Sequence, residues 1–466
     1  MKKFICSVMA VVAAFGFVAC NGNPAGGGER GIRPPEISQE EFYRIPSYEK
    51  SDYPLLGMCG LHAKYNSITQ ANMDGLAAAG YDIAAAAVNI FAGDNWESNK
   101  KALDMAEKAG LKLVVLDEFI TVFSINGEPA VKPFSSTKFA EISNHPALYG
   151  VDIKDEPHKS EVNQYLKQRL ADFKNAAFRG NPKFCVNLSF ATELVGYITH
   201  EEQVNYVAEN LDLPHISYDL YMLRNRSGQR LWDDSFMSYI EQSSYAAKIR
   251  HGLPVWGIKL TSGHSFPGCD FPSPTEAEMR WQTAAMMAFG TDTVWDYSFD
   301  KQDATYSALV DENGNRTEVY DRVEAVSLEV SAWKDVYHAF SPGWIGTLGL
   351  GGSHGNVNGM FRRLKYEIPV ADMDAVTSIV SDEDVLVGYF KDERRNNGFM
   401  LTNGSAPTGA TKDVSASATL EFETKYSGVQ VFEKGVPTIY DLGKDGKLTV
   451  TLEPGEGKFL IPLVKK

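Results

Sequence analysis

The chain has 466 residues, 44% of them apolar, which suits two or three domains with a sizeable core. Its 45 basic and 60 acidic residues give a formal net charge of −15, and no basic tract stands out against that balance. Binding to nucleic acid needs a concentrated positive surface, so the composition argues against a nucleic-acid partner.

The N-terminus has the pattern of an export signal. Two lysines precede an apolar stretch from Ile5 to Phe17, which is too short to span a bilayer comfortably. The segment ending in Ala19 and Cys20 resembles a bacterial lipobox, in which cleavage exposes the cysteine for lipidation. Phe17 stands where leucine is usual in that motif.

An ordinary secretory signal with an incidental cysteine is the alternative interpretation. A glycine-rich tether at residues 21–28 favours the lipid anchor, because it would hold a folded domain off the membrane. We therefore expect a signal peptide over residues 1–19, lipidation at Cys20, and a tether and lead-in over residues 20–50. The expected location is the cell envelope, lipid-anchored in the outer membrane and facing the periplasm or the cell surface.

A repeated pattern of elements runs from about Tyr53 to Phe340. A short apolar run, a polar loop and a longer amphipathic stretch recur eight times, the last amphipathic stretch being Thr317–Phe340. Eight strands alternating with eight helices predict a (β/α)8 TIM barrel. An open doubly wound sheet would show a glycine-rich phosphate loop after an early strand, and none is present. The predicted strands are Leu55–Leu61, Tyr81–Phe91, Leu111–Phe119, Leu148–Glu156, Lys183–Phe190, His215–Leu223, Pro254–Ser262 and Thr291–Phe299.

The tail from about Met360 has a different pattern. Short alternating runs are separated by turn pairs such as Asn403-Gly404 and Asp445-Gly446. This pattern predicts a small all-β sandwich. The expected boundaries are residues 51–345 for the barrel domain and 360–466 for the sandwich.

Function in a TIM barrel lies at the C-terminal ends of the strands. The fourth predicted strand ends in Asp155-Glu156-Pro157, which puts carboxylates at that rim. Strand alternation predicts that Asp152, Lys154 and Glu156 share one side and that Asp155 lies on the other.

These strand ends resemble those of the large clan of retaining glycoside hydrolases with (β/α)8 barrels. The clan's fourth strand commonly ends in Asn-Glu-Pro, and that glutamate is the acid/base; here Glu156 takes its place and Asp155 replaces the asparagine. The eighth strand, with Trp295, resembles the clan's strand that carries a sugar-stacking tryptophan. The sixth, with Asp219 and Tyr221, resembles an Asp-x-Tyr strand end of related barrels.

The tail, through Val387–Phe390 and Leu452–Gly457, resembles the β-domains appended to such enzymes. The resemblance spans nearly the whole mature chain. It implies a glycosidase that cleaves an extracellular oligo- or polysaccharide, with Glu156 as general acid/base. We expect no cofactor and no metal, because the cysteines and histidines show no ligand spacing.

Glycoside cleavage needs a carboxylic acid that protonates the leaving oxygen, and a second carboxylate that attacks or activates water. The acid must hold its proton near neutral pH. Repulsion from Asp152 and Asp155 would raise the pKa of Glu156, and Lys154 would oppose that effect. A surface salt-bridge cluster is the alternative interpretation of these charges.

The seventh strand departs from the clan, whose nucleophile glutamate ends that strand. Here Pro254–Ser262 contains no acid. We prefer Asp219 as the second carboxylate, because its spacing puts it on one face with Tyr221; a substrate hydrogen-bonding role for Asp219 is the alternative. If Trp295 faces the substrate, Asp296 should face the helices. The other candidates are Asp296, Asp117 and Glu118.

The remaining candidates are groups that contact sugars. The flat apolar faces of sugars stack on aromatic rings, and polar side chains can bind the sugar hydroxyls. We interpret the Trp256 ring as part of the core. A glycan-binding lipoprotein that has lost catalysis is the rival function, favoured by the missing strand-seven acid. The predicted catalytic residues are Glu156 and Asp219, and the predicted substrate-binding residues are Asp152, Asp155, Tyr221, Trp295, Tyr297, His62 and Asn89.

Overall fold

The computed structural model describes residues 42–62, 65–87, 96–117, 119, 121–125, 128–130, 133–175, 183–188, 192–266, 268–302, 305–351, 359–407 and 414–466. Among the predicted site residues and the candidates for the second carboxylate, Cys20, Asn89 and Glu118 lie outside these ranges. In the ranges described, no helix combines the length and the apolar character that crossing a membrane requires.

Eight parallel strands close into a barrel, which confirms the predicted fold class. Neighbours in the barrel follow chain order, and the eighth strand pairs with the first to close it. All eight lie within one or two residues of the predicted runs or inside them. The strands are β1 (Leu56–His62), β2 (Ile83–Ala87), β3 (Lys112–Leu116), β4 (Leu148–Asp155), β5 (Lys183–Leu188), β6 (Ile216–Leu220), β7 (Val255–Leu260) and β8 (Thr293–Tyr297).

Helices follow the strands and cover the outside of the barrel. Local sequence sets their starts: the Thr275 side chain accepts the Glu278 amide, and the Glu278 side chain accepts the Thr275 amide. The last predicted helix is two helices in the structure. The helices are α1 (Gln70–Ala78), α2 (Trp96–Ala109), α3 (Ser136–Ile142), α4 (Lys159–Glu161, Val162–Leu166 and Lys167–Asn175 in succession), α5 (His200–Asn210), α6 (Phe236–Ser244 and Tyr245–Arg250), α7 (Glu276–Ala288), α8 (Glu318–Ser331) and α9 (Lys334–Phe340).

Large rings fill the lower part of the barrel interior. Trp256 and Trp295 lie with ring centroids 5.4 Å apart, and His215 stacks on Trp256 at 3.7 Å. Gly57 on β1 leaves room for Trp295, because a Cβ at that position would lie 2.3 Å from the indole. The tryptophan pair therefore forms the floor beneath the C-terminal mouth.

The chain after the barrel forms antiparallel sheets, which confirms the predicted sandwich. One sheet has the order β9-β11-β12-β17-β14-β15 and the other β10-β13-β16. The first strand of the larger sheet begins at Trp344, ahead of the predicted boundary at 360. The strands are β9 (Trp344–Leu350), β10 (Val376–Ser381), β11 (Val385–Lys391), β12 (Asn397–Asn403), β13 (Ala416–Phe422), β14 (Gly428–Glu433), β15 (Val436–Asp441), β16 (Lys447–Leu452) and β17 (Gly457–Leu463).

Helix α7 lies between the barrel and the larger sheet. The Trp281 indole N–H donates to the Asn403 carbonyl at 2.9 Å, and the Thr402 hydroxyl lies on the same side of the helix. Gly388 on β11 meets the helix so closely that a Cβ there would lie 2.1 Å from the Ala288 carbonyl oxygen. The barrel and the sheet therefore share one continuous apolar core.

Candidate active site at the barrel mouth

Strand β4 carries a β-bulge between Asp152 and Lys154. The residues before and after Asp152 pack in the core with the helices, so Asp152 faces the interior, and its carboxyl is affected by the charge of Asp155. The Lys154 ammonium instead lies 3.9 Å from the Glu161 carboxylate on α4, outside the barrel wall. The predicted grouping, with Asp152 and Lys154 on one side and Asp155 on the other, is therefore wrong, because a bulge adds one residue to the alternation.

A line of hydrogen bonds links the ends of three neighbouring strands. The Asn187 side-chain amide on β5 donates to the Asp155 carboxylate at 2.9 Å. The Ser217 hydroxyl on β6 donates to the side-chain oxygen of Asn187 at 3.3 Å. These contacts hold Asp155 at the mouth. Asn187 and Ser217 were not predicted as site residues, although both lie inside predicted strands.

Glu156 follows directly and is exposed at the rim. Its φ angle is 46°, in the left-handed region that costs a residue with a side chain about 1–3 kcal/mol. Its amide donates to the Asn187 carbonyl at 2.9 Å, which helps to hold this turn. A strained residue kept at the end of β4 is consistent with a functional role there.

Asp152 is the acid that keeps its proton. Burial, and then the negative charge of Asp155, raise the pKa of Asp152 to about 8, and Lys154 opposes the shift through its amide and its charge. Asp152 is therefore mostly protonated at neutral pH. From the sequence we predicted a raised pKa for Glu156, whereas in the structure the raised pKa belongs to Asp152.

Solvent reaches part of the barrel interior near these acids, and we call this opening the cavity. Inward-facing side chains on five strands keep part of their surface exposed instead of closing the barrel. Two of them, Cys59 and Ala85, are small, and the charges of Asp152 and Asp155 raise the pKa of the Cys59 thiol further than burial alone does. The five partly exposed residues are Cys59, Ala85, Asp152, Ile258 and Tyr297.

Asp219 and Tyr221 form the wall contributed by β6. The pKa of Tyr221 is raised by burial first and by the charge of Asp219 next. The Tyr221 ring stacks on Tyr297 of β8, with centroids 5.3 Å apart. His264 and Phe271 meet Tyr221 edge-on at 5.8 and 6.2 Å. A carboxylate thus lies beside an aromatic wall.

Asp296 faces away from the mouth. Its carboxylate pairs with the Lys259 ammonium and accepts the Tyr81 hydroxyl at 2.8 Å, in the layer between strands and helices. Trp295, its neighbour, points inward but is only 3% exposed and belongs to the floor. Tyr297 is therefore the partly exposed ring on β8, and the packing of Trp295 favours a structural role over the predicted sugar stacking.

Asp117, another candidate for the second carboxylate, fixes local structure. Its carboxylate accepts the Asn99 side-chain amide of α2 at 2.8 Å and the Phe119 amide at 2.9 Å. These bonds tie α2 to the loop after β3. Asp219 is thus the candidate among the described residues whose carboxylate belongs to the mouth.

His62, at the end of β1, is paired with an acid that the sequence analysis missed. Its Nδ1 lies 3.0 Å from Asp300 Oδ2, and its amide donates to the same oxygen at 2.7 Å. Asp300 follows β8, and its side chain is 1% exposed. No sequence pattern connects these two residues, which meet because the barrel closes between β8 and β1.

A second acidic group, far from the mouth, has the spacing of metal ligands: Asp104, Glu107 and His145. The Ala147 amide donates to His145 Nδ1 at 3.2 Å, so the ring proton lies on Nε2, which faces Asp104 at 3.3 Å. The hydrogen bond explains this cluster without a metal ion.

This chain shares its fold with proteins of known structure, but its sequence does not match known families. No protein-family model matches the sequence, and no curated protein matches it significantly. A solved candidate alpha-galactosidase from Bacteroides fragilis is similar at 10% identity over 89% of this chain and 80% of its own, with a TM-score of 0.51. An identity this low shows a shared fold alone.

Two more distant structures also have glycosidase names. An alfa-galactosidase from Saccharomyces cerevisiae, solved with raffinose, is 9% identical over 89% of this chain and 98% of its own, with a TM-score of 0.49. A family 39 glycoside hydrolase from the gut symbiont Bacteroides cellulosilyticus is 12% identical over 90% and 83%, with a TM-score of 0.48. Both are too distant to support more than a general likeness.

Proposed function

We propose that the protein is a glycoside hydrolase whose active site is the barrel mouth. The observation that supports this most is the pair Asp152 and Asp155: two inward carboxyls in one cavity, of which Asp152 holds a proton at neutral pH. Glycosidases need such unequal acids, since one group must give a proton while another stays negative.

In this proposal Glu156 is the general acid/base that protonates the leaving oxygen. It is exposed at the rim, where it can reach the bond to be cleaved, and Asp152 below it can resupply the proton. Asp219 supplies the negative charge that stabilises the positive charge developing at the anomeric carbon. The rings of Tyr221 and Tyr297 offer a stacking wall for the sugar.

A glycan-binding protein without catalysis is the second candidate. Its support is the end of β7, where Lys259 turns outward to pair with Asp296 and the following residues, Leu260 and Thr261, carry no acid. Such a barrel would keep the aromatic wall and bind a sugar without cleaving it.

The test compares Glu156→Gln with wild type on a panel of oligosaccharides of defined linkage. We expect the rate of hydrolysis to fall roughly 10²–10⁴-fold, because a carboxamide cannot donate the proton, while sugar binding persists. Glu209→Gln, an exposed glutamate on α5, is the matched control and should retain activity. Hydrolysis by Glu156→Gln at the wild-type rate would overturn this assignment. Binding without hydrolysis by wild type itself would establish the second candidate.

We also propose that the enzyme acts outside the cytoplasm while anchored by lipid at Cys20. The support is the N-terminal sequence alone: an apolar stretch, a lipobox-like segment and a glycine-rich tether. A glycine-rich tether would hold the barrel off the membrane, where its mouth could meet a polymeric glycan.

A further inference from the structure

The contacts of His62 fix the position of its ring proton. Two groups lie near Nδ1, Asp300 Oδ2 at 3.0 Å and the Gly60 carbonyl oxygen at 3.1 Å, and both can only accept. Nδ1 must therefore carry hydrogen, and in the neutral imidazole Nε2 holds the lone pair.

The ring is held rigidly as well as polarised. The Asp300 carboxylate accepts both the ring N–H and the His62 amide, and the Ser67 hydroxyl oxygen accepts the same amide at 2.9 Å. Asp300 is 1% exposed, and its second oxygen has no hydrogen-bond partner in the described ranges.

Nε2 remains available at the mouth. His62 follows Leu61, whose side chain packs into the core on the helix side, so alternation directs His62 toward the interior, above Cys59. The ring is 26% exposed, and Nε2 makes no hydrogen bond within the described part of the chain. The ring contacts Asp300 after β8 and meets the ring of Tyr65 edge-on at 5.7 Å.

Strand β1 lies across the barrel from β4. The charges of Asp152 and Asp155 reach Cys59, three residues before His62 on the same strand. A sugar bound in the cavity would therefore have acids on one side and His62 on the other. Inverting hydrolysis requires this arrangement, with an acid at the leaving group and a base for water on the opposite face.

We propose that His62, positioned by Asp300, is the general base that activates the hydrolytic water, and that the reaction inverts the anomeric configuration. This inference rests on the proposed glycosidase function. The water oxygen forms a bond to the anomeric carbon as the bond to the leaving oxygen breaks. The water proton passes to His62 Nε2, and Glu156 gives its proton to the leaving oxygen. Proton exchange with solvent restores both groups.

The experiment measures kcat/KM against pH, and product configuration by NMR, for wild type, His62→Gln and Asp300→Asn. His62→Gln should lower kcat roughly 10²–10⁴-fold with little change in KM, and should remove the acidic limb of the pH profile. Asp300→Asn should lower kcat less, since the ring remains but loses its positioning acid. His145→Gln, on the outer surface, is the matched control. Wild type should release the inverted anomer first.

Each result separates the two proposals. If wild type cleaves glycans but His62→Gln keeps its rate and pH profile, or if the first product retains configuration, the base assignment is overturned and the glycosidase proposal stands. If wild type cleaves nothing in the panel, both fall. Should Asp300→Asn fail to fold, His62→Gln and its far-ultraviolet spectrum still decide the role of the ring. Azide that restores activity to His62→Ala would support the loss of a base.

Discussion

Asp152 and Asp155 share the interior of the barrel although three positions separate them on β4. A regular strand would direct them to opposite sides, and the bulge between Asp152 and Lys154 brings them to the same one. The same bulge removes Lys154 from the cavity and leaves it beside Glu161 on α4. Burial, and then the negative charge of Asp155, favour a proton on Asp152.

This pairing predicts how stability depends on pH. The pKa of Asp152 is raised from 3.8 to about 8 in the folded protein. Between these values the unfolded chain releases the proton and the folded chain keeps it, so stability contributed below pH 4 is lost as pH rises toward 8. Asp152→Asn has no such proton to lose and should be more stable than wild type at pH 8–9.

Urea unfolding midpoints at pH 4, 6 and 8 measure the effect. The advantage of Asp152→Asn over wild type should grow with pH and be smallest at pH 4. Asp52→Asn, an exposed aspartate ahead of β1, is the matched control and should follow wild type across the range. A difference between Asp152→Asn and wild type that stays constant with pH would contradict the elevated pKa.

The floor of the cavity predicts an effect of packing. Gly57→Ala places a methyl group 2.3 Å from the Trp295 indole, so the ring or the strand must shift. We expect a loss of about 1–3 kcal/mol in the free energy of unfolding, the usual cost of overpacking. Denaturant titration followed by tryptophan fluorescence measures it.

A second substitution shows whether the contact is responsible. Trp295→Phe removes part of the indole, so the double variant Gly57→Ala with Trp295→Phe should lose less than the sum of the two single losses. Strict additivity would mean that Gly57 matters for its backbone conformation and not for room.

The N-terminal interpretation predicts the place of the protein in the cell. Cys20→Ala should move the protein from the membrane fraction to the soluble fraction, since one residue would carry the anchor. Cys269→Ala, which changes a free thiol in the folded domain, is the control and should leave fractionation unchanged. Equal membrane association of Cys20→Ala and wild type would reject the lipid anchor.

The barrel could be predicted from sequence because its pattern repeats. Each of the eight strands is a short apolar run before an amphipathic helix, and the repeat marks all of them. Strands β9 and β10 were not predicted, because each stands alone beside a helix or turn and lacks that context. Hydrophobic periodicity predicts a strand or helix best where the same pattern recurs along the chain.

The site was harder to predict because its parts meet only in three dimensions. Alternation placed Asp219 and Tyr221 together correctly, as β6 is regular, but failed on β4 at the bulge beyond Asp152. His62 and Asp300 are 238 positions apart in the chain and meet only when the barrel closes. A bulge and a closure contact leave no periodic trace in the sequence.

The glycines that meet helix α7 have a consequence for how this architecture can change. Gly388, Gly455 and Gly457 each touch the helix where a methyl group would collide with it, at Ala288, Ala277 and Ala284 in turn. A β-sandwich from another protein, with larger residues at these three positions, could not pack against the barrel. Deleting the β-sandwich would remove the hydrogen-bond acceptor of the Trp281 indole and would expose an apolar face of α7 to water. We therefore expect the barrel and the β-sandwich to unfold together. We also expect that neither can be exchanged in evolution for a domain from another protein.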